Sequence, residues 1–368
     1  MERGASKHRL LTPDEALRRV LSHSRPLAAE KIRVRDACGM VLARDVKAAD
    51  DLPRFDNSAM DGFAVRAADT RWATAKNPAI LRLIGEVQAG SSFRKKLLAG
   101  CAVRISTGAP IPRGADAVVM QEDCKVRGSS IQVRDGEPKG GNVRFRGEEI
   151  CKGRVALRRG VRLSPGAIAW LATMGVSEVT VLRKPRVGLL RTGNEVVEPP
   201  KVPRRDQVRD AHGLCLQLAV REMGMELKVV PDVRDHPAAI LRAFSELMAS
   251  CDVVLTTGGV SVGRHDLFHE VARGMGIRQV FHKIAQKPGK PMAFGVRGRK
   301  LWFGLPGNPV SSLFCFYCYV RPALVKMSGR DDFRSVWFEA LSSTTVHRNS
   351  GRPEFMRGKM HRGRVVFA

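Results

Sequence analysis

DVVLTTGGVSVGRHD, residues 252–266, is the stretch whose reading decides the fold. Val253, Val254 and Leu255 form a short apolar run that reads as a buried strand. Two threonines follow, then Gly258 and Gly259. A glycine pair directly after a strand lets the backbone turn where a Cβ would clash and exposes N–H groups. Ser261 adds a hydroxyl, and Asp266 a carboxylate ahead of Leu267 and Phe268. Open α/β sheets bind ligands on such loops, at the carboxyl ends of their strands. N–H groups suit phosphate, and a carboxylate suits a metal. The plainer alternative is a tight strand-to-helix turn with Asp266 as N-cap.

Outward from this loop, the chain from Arg186 alternates strands and helices. RVGLLRT reads as a strand ending in the turn Thr192, Gly193, Asn194, Glu195. A helix is expected from about Ala211 to Met223, LKVV as a strand, and a second helix opening at His236 and Pro237. After the opening loop and another helix, QVFHKIAQ, MAFGV and LWFGLP read as strands. Pro309 starts a long helix that ends near Gly329. This alternation predicts a mixed or parallel sheet with helices on both faces.

The first half differs. Thr12, Pro13 and Glu15 spell an N-cap, a first-position proline and a capping box. DLPRFDNSAMDGFAVRAADT, residues 51–70, sets Asp56 and Asp61 among small and apolar residues, as a half-buried acidic loop. Short alternating runs punctuated by glycine and proline fill residues 80–138 and predict a small barrel or sandwich. Ser164 and Pro165 start a helix that Gly175 stops.

The totals bound the class. At 368 residues the chain holds several domains. It has no apolar run long enough for a membrane span and no signal-peptide core, so a cytoplasmic protein is expected. The net charge of +27 invites a nucleic-acid partner. However, Arg and Lys are spread along the chain with no basic block and no nucleic-acid-binding signature, so such a partner is not expected. Cys315 and Cys318 form a C-x-x-C inside an apolar helix, with no further ligands in view, and read as core residues.

Parallel strand ends share one rim, so TGNE, TTGGVSVGRHD, KIAQKPGKP and LPGNPVSS can converge. Lys283, Lys287 and Lys290 flank Pro288 and Gly289, and cations beside a glycine turn suit an oxyanion or a phosphate. Glu195, Asp210 and Asp266 would lie near them, and carboxylates beside phosphate-binding lysines imply Mg2+. Ser311 falls in the first turn of the last helix, where N–H groups favour anions. The residues alone therefore predict a phosphorylated anionic ligand, a hard metal, and phosphate or oxyanion transfer.

The strings DNSAMDGFAV, RISTGAPIPRGADAVVMQED, RGEEI, GLLRTGNEVVEP, TTGGVSVGRHD, KPGKPMAFG and LPGNPVSS, in this order, resemble the molybdopterin molybdenumtransferase family, bacterial MoeA and the E-domain of gephyrin. The resemblance implies an α/β and β multidomain protein. Its parts would be a linking domain I (1–50 and 140–183), an inserted β domain II (51–139), a MoaB/MogA-like three-layer α/β domain III (184–329) and an incomplete C-terminal β domain IV (330–368). It implies Mg-dependent insertion of molybdate into adenylylated molybdopterin with release of AMP. It also implies a homodimer, and a molybdopterin adenylyltransferase as a partner. By motif, Asp61, Asp266, Lys283 and Lys287 match catalytic positions, Asp61 and Asp266 also as metal ligands. Thr107, Glu195, Asp210, Gly258, Gly259, Ser261, Lys290, Pro291, Ser311 and Arg352 match substrate-binding positions. Two departures stand out. VRDAHG replaces the family's usual surroundings of Asp210, and the C-terminal domain is shorter than the family's. The shortening also allows a truncated, weakly active or inactive paralogue that binds molybdopterin or serves as a scaffold.

Overall fold

The structure is a computed structural model that describes residues 9–193, 195–233, 236–258, 267–333, 336, 338–347 and 351–367. The chain forms two compact units: Met1–Glu30, Gly39–Ala43 and Thr180–Ala368 make the first, and Lys31–Cys38 and Arg44–Val179 the second.

Helix α1 (Pro13–His23) begins as the sequence predicts. Thr12 Oγ1 accepts the Glu15 N–H at 3.3 Å, and the Glu15 carboxylate accepts the Thr12 N–H at 2.8 Å. Its buried face, Ala16 and Val20, enters the core of the α/β unit. Lys326 Nζ donates to the Leu21 carbonyl at 2.8 Å, and Leu27 N–H to the Met327 carbonyl at 3.0 Å. Residues 9–30, which the sequence assigns to the linking domain, therefore cluster with the α/β unit, because that is where the apolar face of α1 finds cover.

In the second unit, β1 (Val46–Lys47) pairs later with a distant strand. Then β2 (Gly62–Val65), β3 (Ala79–Val87), β4 (Cys101–Ile105), β5 (Ala117–Met120), β6 (Cys124–Arg127) and β7 (Ser130–Val133) form one six-stranded sheet in the order β5-β2-β4-β3-β7-β6. β3 and β4 run parallel and the other neighbours antiparallel. Phe63 and Val65 of β2 enter one apolar cluster and Ala64 another, so both faces of the sheet are covered, with the period-two alternation of a strand. β8 (Val155–Leu157) pairs with β1. Helix α2 (Pro165–Thr173) is capped by Ser164, whose side chain accepts the Ala167 N–H at 3.2 Å, and Gly175 follows it at φ 71°.

The first unit is built on β9 (Arg186–Thr192), β10 (Glu226–Val233), β11 (Val253–Thr257), β12 (Arg278–His282), β13 (Ala293–Arg297) and β14 (Lys300–Leu305). Their order is β10-β9-β11-β14-β13-β12. The first four run parallel, and β13 runs antiparallel between β14 and β12. Helices α3 (His212–Glu222), α4 (Pro237–Ser250) and α5 (Leu267–Gly274) come between the strands. Two core clusters lie on the two faces of the sheet: Leu189, Leu255 and Phe303 enter one, Leu190, Val254 and Trp302 the other. On α4, Ile240, Phe244, Leu247 and Met248 recur at helical spacing and are buried, each side chain stabilising the fold by about 1.5–3 kcal/mol. The last long helix is one continuous path with a wider turn inside it: α6 (Pro309–Cys315), a π-helical segment Phe316–Val320, and α7 (Arg321–Met327). Cys315 is fully buried inside it, and burial pushes its thiol up, as a core residue requires. Beyond it, β15 (Leu341–Ser342), β16 (Gly358–His361) and β17 (Arg364–Phe367) form a three-stranded sheet.

Candidate active site

The parallel strands β9, β11 and β14 end side by side at Thr192, Thr257 and Leu305. β12 is antiparallel to β13, which is antiparallel to β14, so β12 also ends on this rim, at His282. The loops carried by β9, β11 and β14 come close together. A Cβ on Gly258, at φ +85°, would lie 2.6 Å from the Thr192 carbonyl oxygen, so glycine is required where these two loops meet. Thr192 Oγ1 donates to the Thr257 carbonyl at 3.5 Å, and the position a Gly307 Cβ would take is 4.0 Å from the Gly258 Cα. The rim of the three central strands is thus lined by backbone and small polar groups. Gly259, Ser261 and Asp266 lie outside the described residues.

Beside this rim the lysine loop is held rigidly. Lys283 N–H donates to the Met292 carbonyl and Ile284 N–H to the Lys290 carbonyl, both at 2.9 Å, closing the base of the loop. Lys283 sits in the left-handed region at φ 70°, and Gly289 at φ 86°. A Cβ on Gly289 would meet Cys315 Sγ at 2.5 Å and Gln286 Nε2 at 2.8 Å. Gln286 is fully buried, accepts a hydrogen bond from the Tyr319 hydroxyl, and donates to Cys315 Sγ at 3.8 Å. The loop is therefore bolted to the last helix from inside, while Lys287 and Lys290 point their exposure outward and Lys283 is half-buried. Pro291 is half-buried beside Lys290.

The segment around Glu354 lies along this loop as a strap. Lys287 N–H donates to the Pro353 carbonyl at 2.9 Å, and Phe355 N–H to the Lys287 carbonyl at 2.8 Å. Lys287 Nζ lies 2.7 Å from Glu354 Oε1, and the Phe314 and Phe355 rings sit 4.7 Å apart. Arg352 is exposed in the bend two residues before Glu354, which bridges to Lys287. A cavity of about 750 Å³ opens between strap and helix, lined by Lys287, Leu313, Phe314, Tyr317 and Phe355 among others.

Not every predicted residue is a free ligand group. Asp210 is buried and ion-paired with the buried Arg191, and its Oδ1 accepts the Gly213 N–H at 2.8 Å at the start of α3. His212 Nδ1 lies 3.5 Å from Asp210 Oδ1, and burial pushes the His212 imidazole down. Asp210 thus acts as a buried structural anchor in this geometry. Glu195 is exposed, and its carbonyl accepts the Val208 N–H at 2.7 Å. Asn308 caps α6 with Oδ1 accepting the Val310 and Ser311 N–H groups at 3.0 and 3.2 Å, so those donors are taken and Ser311 offers its hydroxyl. In the second unit, Asp61 Oδ1 accepts both the backbone N–H and the hydroxyl of Thr107, at 2.7 and 3.1 Å. No cluster of three or more acidic, His or Cys side chains with metal-binding geometry occurs among the described residues.

Sequence reasoning missed Gln286, Tyr319, Glu354 and Arg191. Glu354 stands two residues beyond Arg352, a position already singled out. The other three carry no local signal, since their partners are distant in sequence.

Residues 11–175 match the family model "MoeA N-terminal region (domain I and II)", and residues 188–326 match "Probable molybdopterin binding domain". Over 354 residues the chain is 37% identical to the molybdopterin molybdenumtransferase of Haemophilus influenzae, covering 95% of this chain and 86% of that protein. The chain belongs to the molybdopterin molybdenumtransferase (MoeA) family. It is also 35% identical to the Staphylococcus aureus molybdopterin molybdenumtransferase over 315 residues, 86% of this chain and 75% of that one. The crystal structure of the molybdopterin biosynthesis MoeA protein from Pyrococcus horikosii superposes with a TM-score of 0.82 at 33% identity, covering 98% of this chain and 90% of that chain. The α/β and β multidomain architecture is therefore that of the MoeA family, which acts in molybdenum cofactor biosynthesis.

Proposed function

We propose that the chain inserts molybdate into adenylylated molybdopterin, with cleavage of the adenylyl phosphoanhydride and release of AMP. The observation that carries this reading is the lysine loop: cations on a braced backbone, on the same sheet as a strand rim where Gly258 lets two loops meet. Lys283, Lys287 and Lys290 hold the oxyanion and phosphate charge, with Pro291 shaping the loop. Ser311 adds a hydroxyl donor and Arg352 a second fork of donors from the strap. Molybdate binding displaces Glu354 from Lys287 or shares the lysine with it. The rim at Thr192, Gly193 and Gly258, together with Gly259, Ser261 and Glu195, takes the pterin phosphate side of the substrate. Asp210 acts indirectly, by fixing the start of α3.

The donor set for Mg2+ fits in one respect: Thr107 occupies Asp61 Oδ1 and leaves the other carboxylate oxygen of an exposed residue for a metal. Asp266 is proposed as a metal ligand of the α/β unit. Mg2+ supplies charge neutralisation for the diphosphate. A homodimer in the cytoplasm is part of the reading. It is supported by the apolar side chains Leu214, Leu218, Tyr317 and Met356, exposed at 45–55% on the α/β unit. The substrate is then received from a molybdopterin adenylyltransferase.

The test is to mix the purified chain with adenylylated molybdopterin, molybdate and MgCl2 and to follow AMP by chromatography. AMP release and cofactor formation are expected, with Lys287→Gln reducing turnover by at least about 100-fold, the scale for losing one charge-stabilising donor. Binding of the substrate without AMP release would overturn catalysis in favour of a binding or scaffold role.

A further inference from the structure

The net charge of +27 is dispersed in sequence, but the fold gathers part of it. β1 and β8 pair antiparallel, with Lys47 opposite Val155 and Val46 opposite Leu157. This pairing folds two basic segments, 44–47 and 152–162, into one ribbon. At one end, Ala48 N–H donates to the Arg154 carbonyl and Gly153 N–H to the Ala48 carbonyl, both at 2.9 Å, which sets Lys47 beside Lys152 and Arg154. At the other end, Arg159 N–H donates to Asp45 Oδ1 at 2.8 Å, which sets Arg44 beside the turn of Arg158 and Arg162. All of these cations are exposed.

Among the described residues, none of Arg44, Lys47, Lys152, Arg154, Arg158 and Arg162 lies within ion-pair distance of a carboxylate. Of the acids nearby, Asp45 lies in the ribbon itself and accepts the Arg159 N–H at 2.8 Å, one carboxylate against seven cations, and the others pair with arginines outside it. Asp50 faces Arg54 at 3.5 Å, and Asp51 pairs with Arg146 at 2.6 Å and accepts the Lys152 N–H at 2.7 Å. The ribbon is a patch of mutually repelling charge that an anionic partner would relieve.

Its composition selects the partner. Val155, 42% exposed, is the large apolar side chain it offers, too little for the apolar centre of a protein interface. Neither strand carries an aromatic ring on which a base could stack. Arginines predominate, and the guanidinium fork matches phosphate. Lys152 lies in the turn before the strand and Arg158 directly after it, so the cations flank both ends of the three-residue strand Val155–Leu157. We propose that the β1–β8 ribbon binds the phosphodiester backbone of double-stranded nucleic acid without reading its sequence.

The test is fluorescence anisotropy of a labelled 30-base-pair duplex DNA against the full chain between 50 and 200 mM NaCl. With about four phosphates engaged, affinity should fall about 100-fold across that range. The double variants Arg44→Gln/Arg158→Gln and Lys152→Gln/Arg154→Gln should each weaken binding at least about 10-fold and flatten the salt slope by about two. A control variant, Lys95→Gln/Lys96→Gln, removes the same charge from exposed positions elsewhere in this unit and should change affinity less than about 3-fold. Because two ends are probed separately, misfolding of one variant, visible in its melting curve, leaves the other to decide. Equal losses in ribbon and control variants would overturn the assignment, as would tighter binding of a polyglutamate chain than of DNA.

Discussion

Gly258 sits where two rim loops touch, and its missing side chain is what lets them touch. Gly258→Ala would press a Cβ to 2.6 Å from the Thr192 carbonyl oxygen at a φ of +85°. The expected outcome is a loss of about 1–3 kcal/mol in urea unfolding, with a larger loss of turnover than an exposed-surface change would give. His282, at the end of β12 next to Lys283, makes a second residue-scale prediction. Burial, reinforced by His269 and Lys283, pushes its imidazole down to about 4 from an ordinary 6.5. Between those values the unfolded chain binds a proton that the folded chain does not, so stability falls as pH falls from about 6.5 to 4. Over pH 7 to 4.5 the wild type should lose more stability than His282→Asn, by an amount moderated by the partial exposure of the ring, measured by denaturant titration. At this scale the sequence was partly legible. Paired glycines after an apolar run announce a close approach, but the burial of Asp210 against Arg191 depends on a strand and a helix start meeting in space, which spacing alone does not reveal.

The lysine loop shows how an element is positioned by its neighbour. Its helical anchor is legible from Pro309, a first-position proline, while the Asn308 cap ahead of it emerges only in the structure. The π-helical turn at Phe316–Val320 is not legible, because one extra residue per turn leaves no compositional mark. That segment contains Tyr319, whose hydroxyl donates to Gln286 at the buried centre of the loop. Tyr319→Phe keeps the ring and leaves the Gln286 carbonyl oxygen buried without that donor, at a cost of about 1–3 kcal/mol. With the loop less firmly braced, the lysines lose their fixed spacing. The expected kinetic signature is a molybdate KM raised several-fold with kcat changed less, since the cations themselves remain. If KM and kcat both stay at wild-type values while stability drops, the bracing serves the fold and not the site.

At the scale of the whole chain, order along the sequence and order in space part company. The α/β unit was legible because each strand brings its own loop, and four loops with polar or glycine-rich text must share a rim once the strands run parallel. The placement of α1 on that unit, and the gathering of Arg44 with Arg158, were not legible, since both are contacts between segments far apart. Net charge, by contrast, is read directly, and +27 creates a field over the entire surface. Both proposed substrates, a molybdate dianion and a pterin bearing a diphosphate, are drawn by it before any lysine touches them. Such steering acts on encounter and is screened over a Debye length of about 10 Å at 0.1 M salt, whereas the chemical step inside a braced site is screened much less. Raising NaCl from about 20 to 200 mM should therefore lower kcat/KM for molybdate several-fold and leave kcat within about a factor of two. Sulfate serves as the paired measurement: as a tetrahedral dianion it should compete with molybdate at the lysine loop, with an inhibition constant that rises with NaCl in parallel with KM. A kcat/KM that stays flat with salt would mean that the charge does not guide the substrate, and that only the local cations at 283–290 matter for binding.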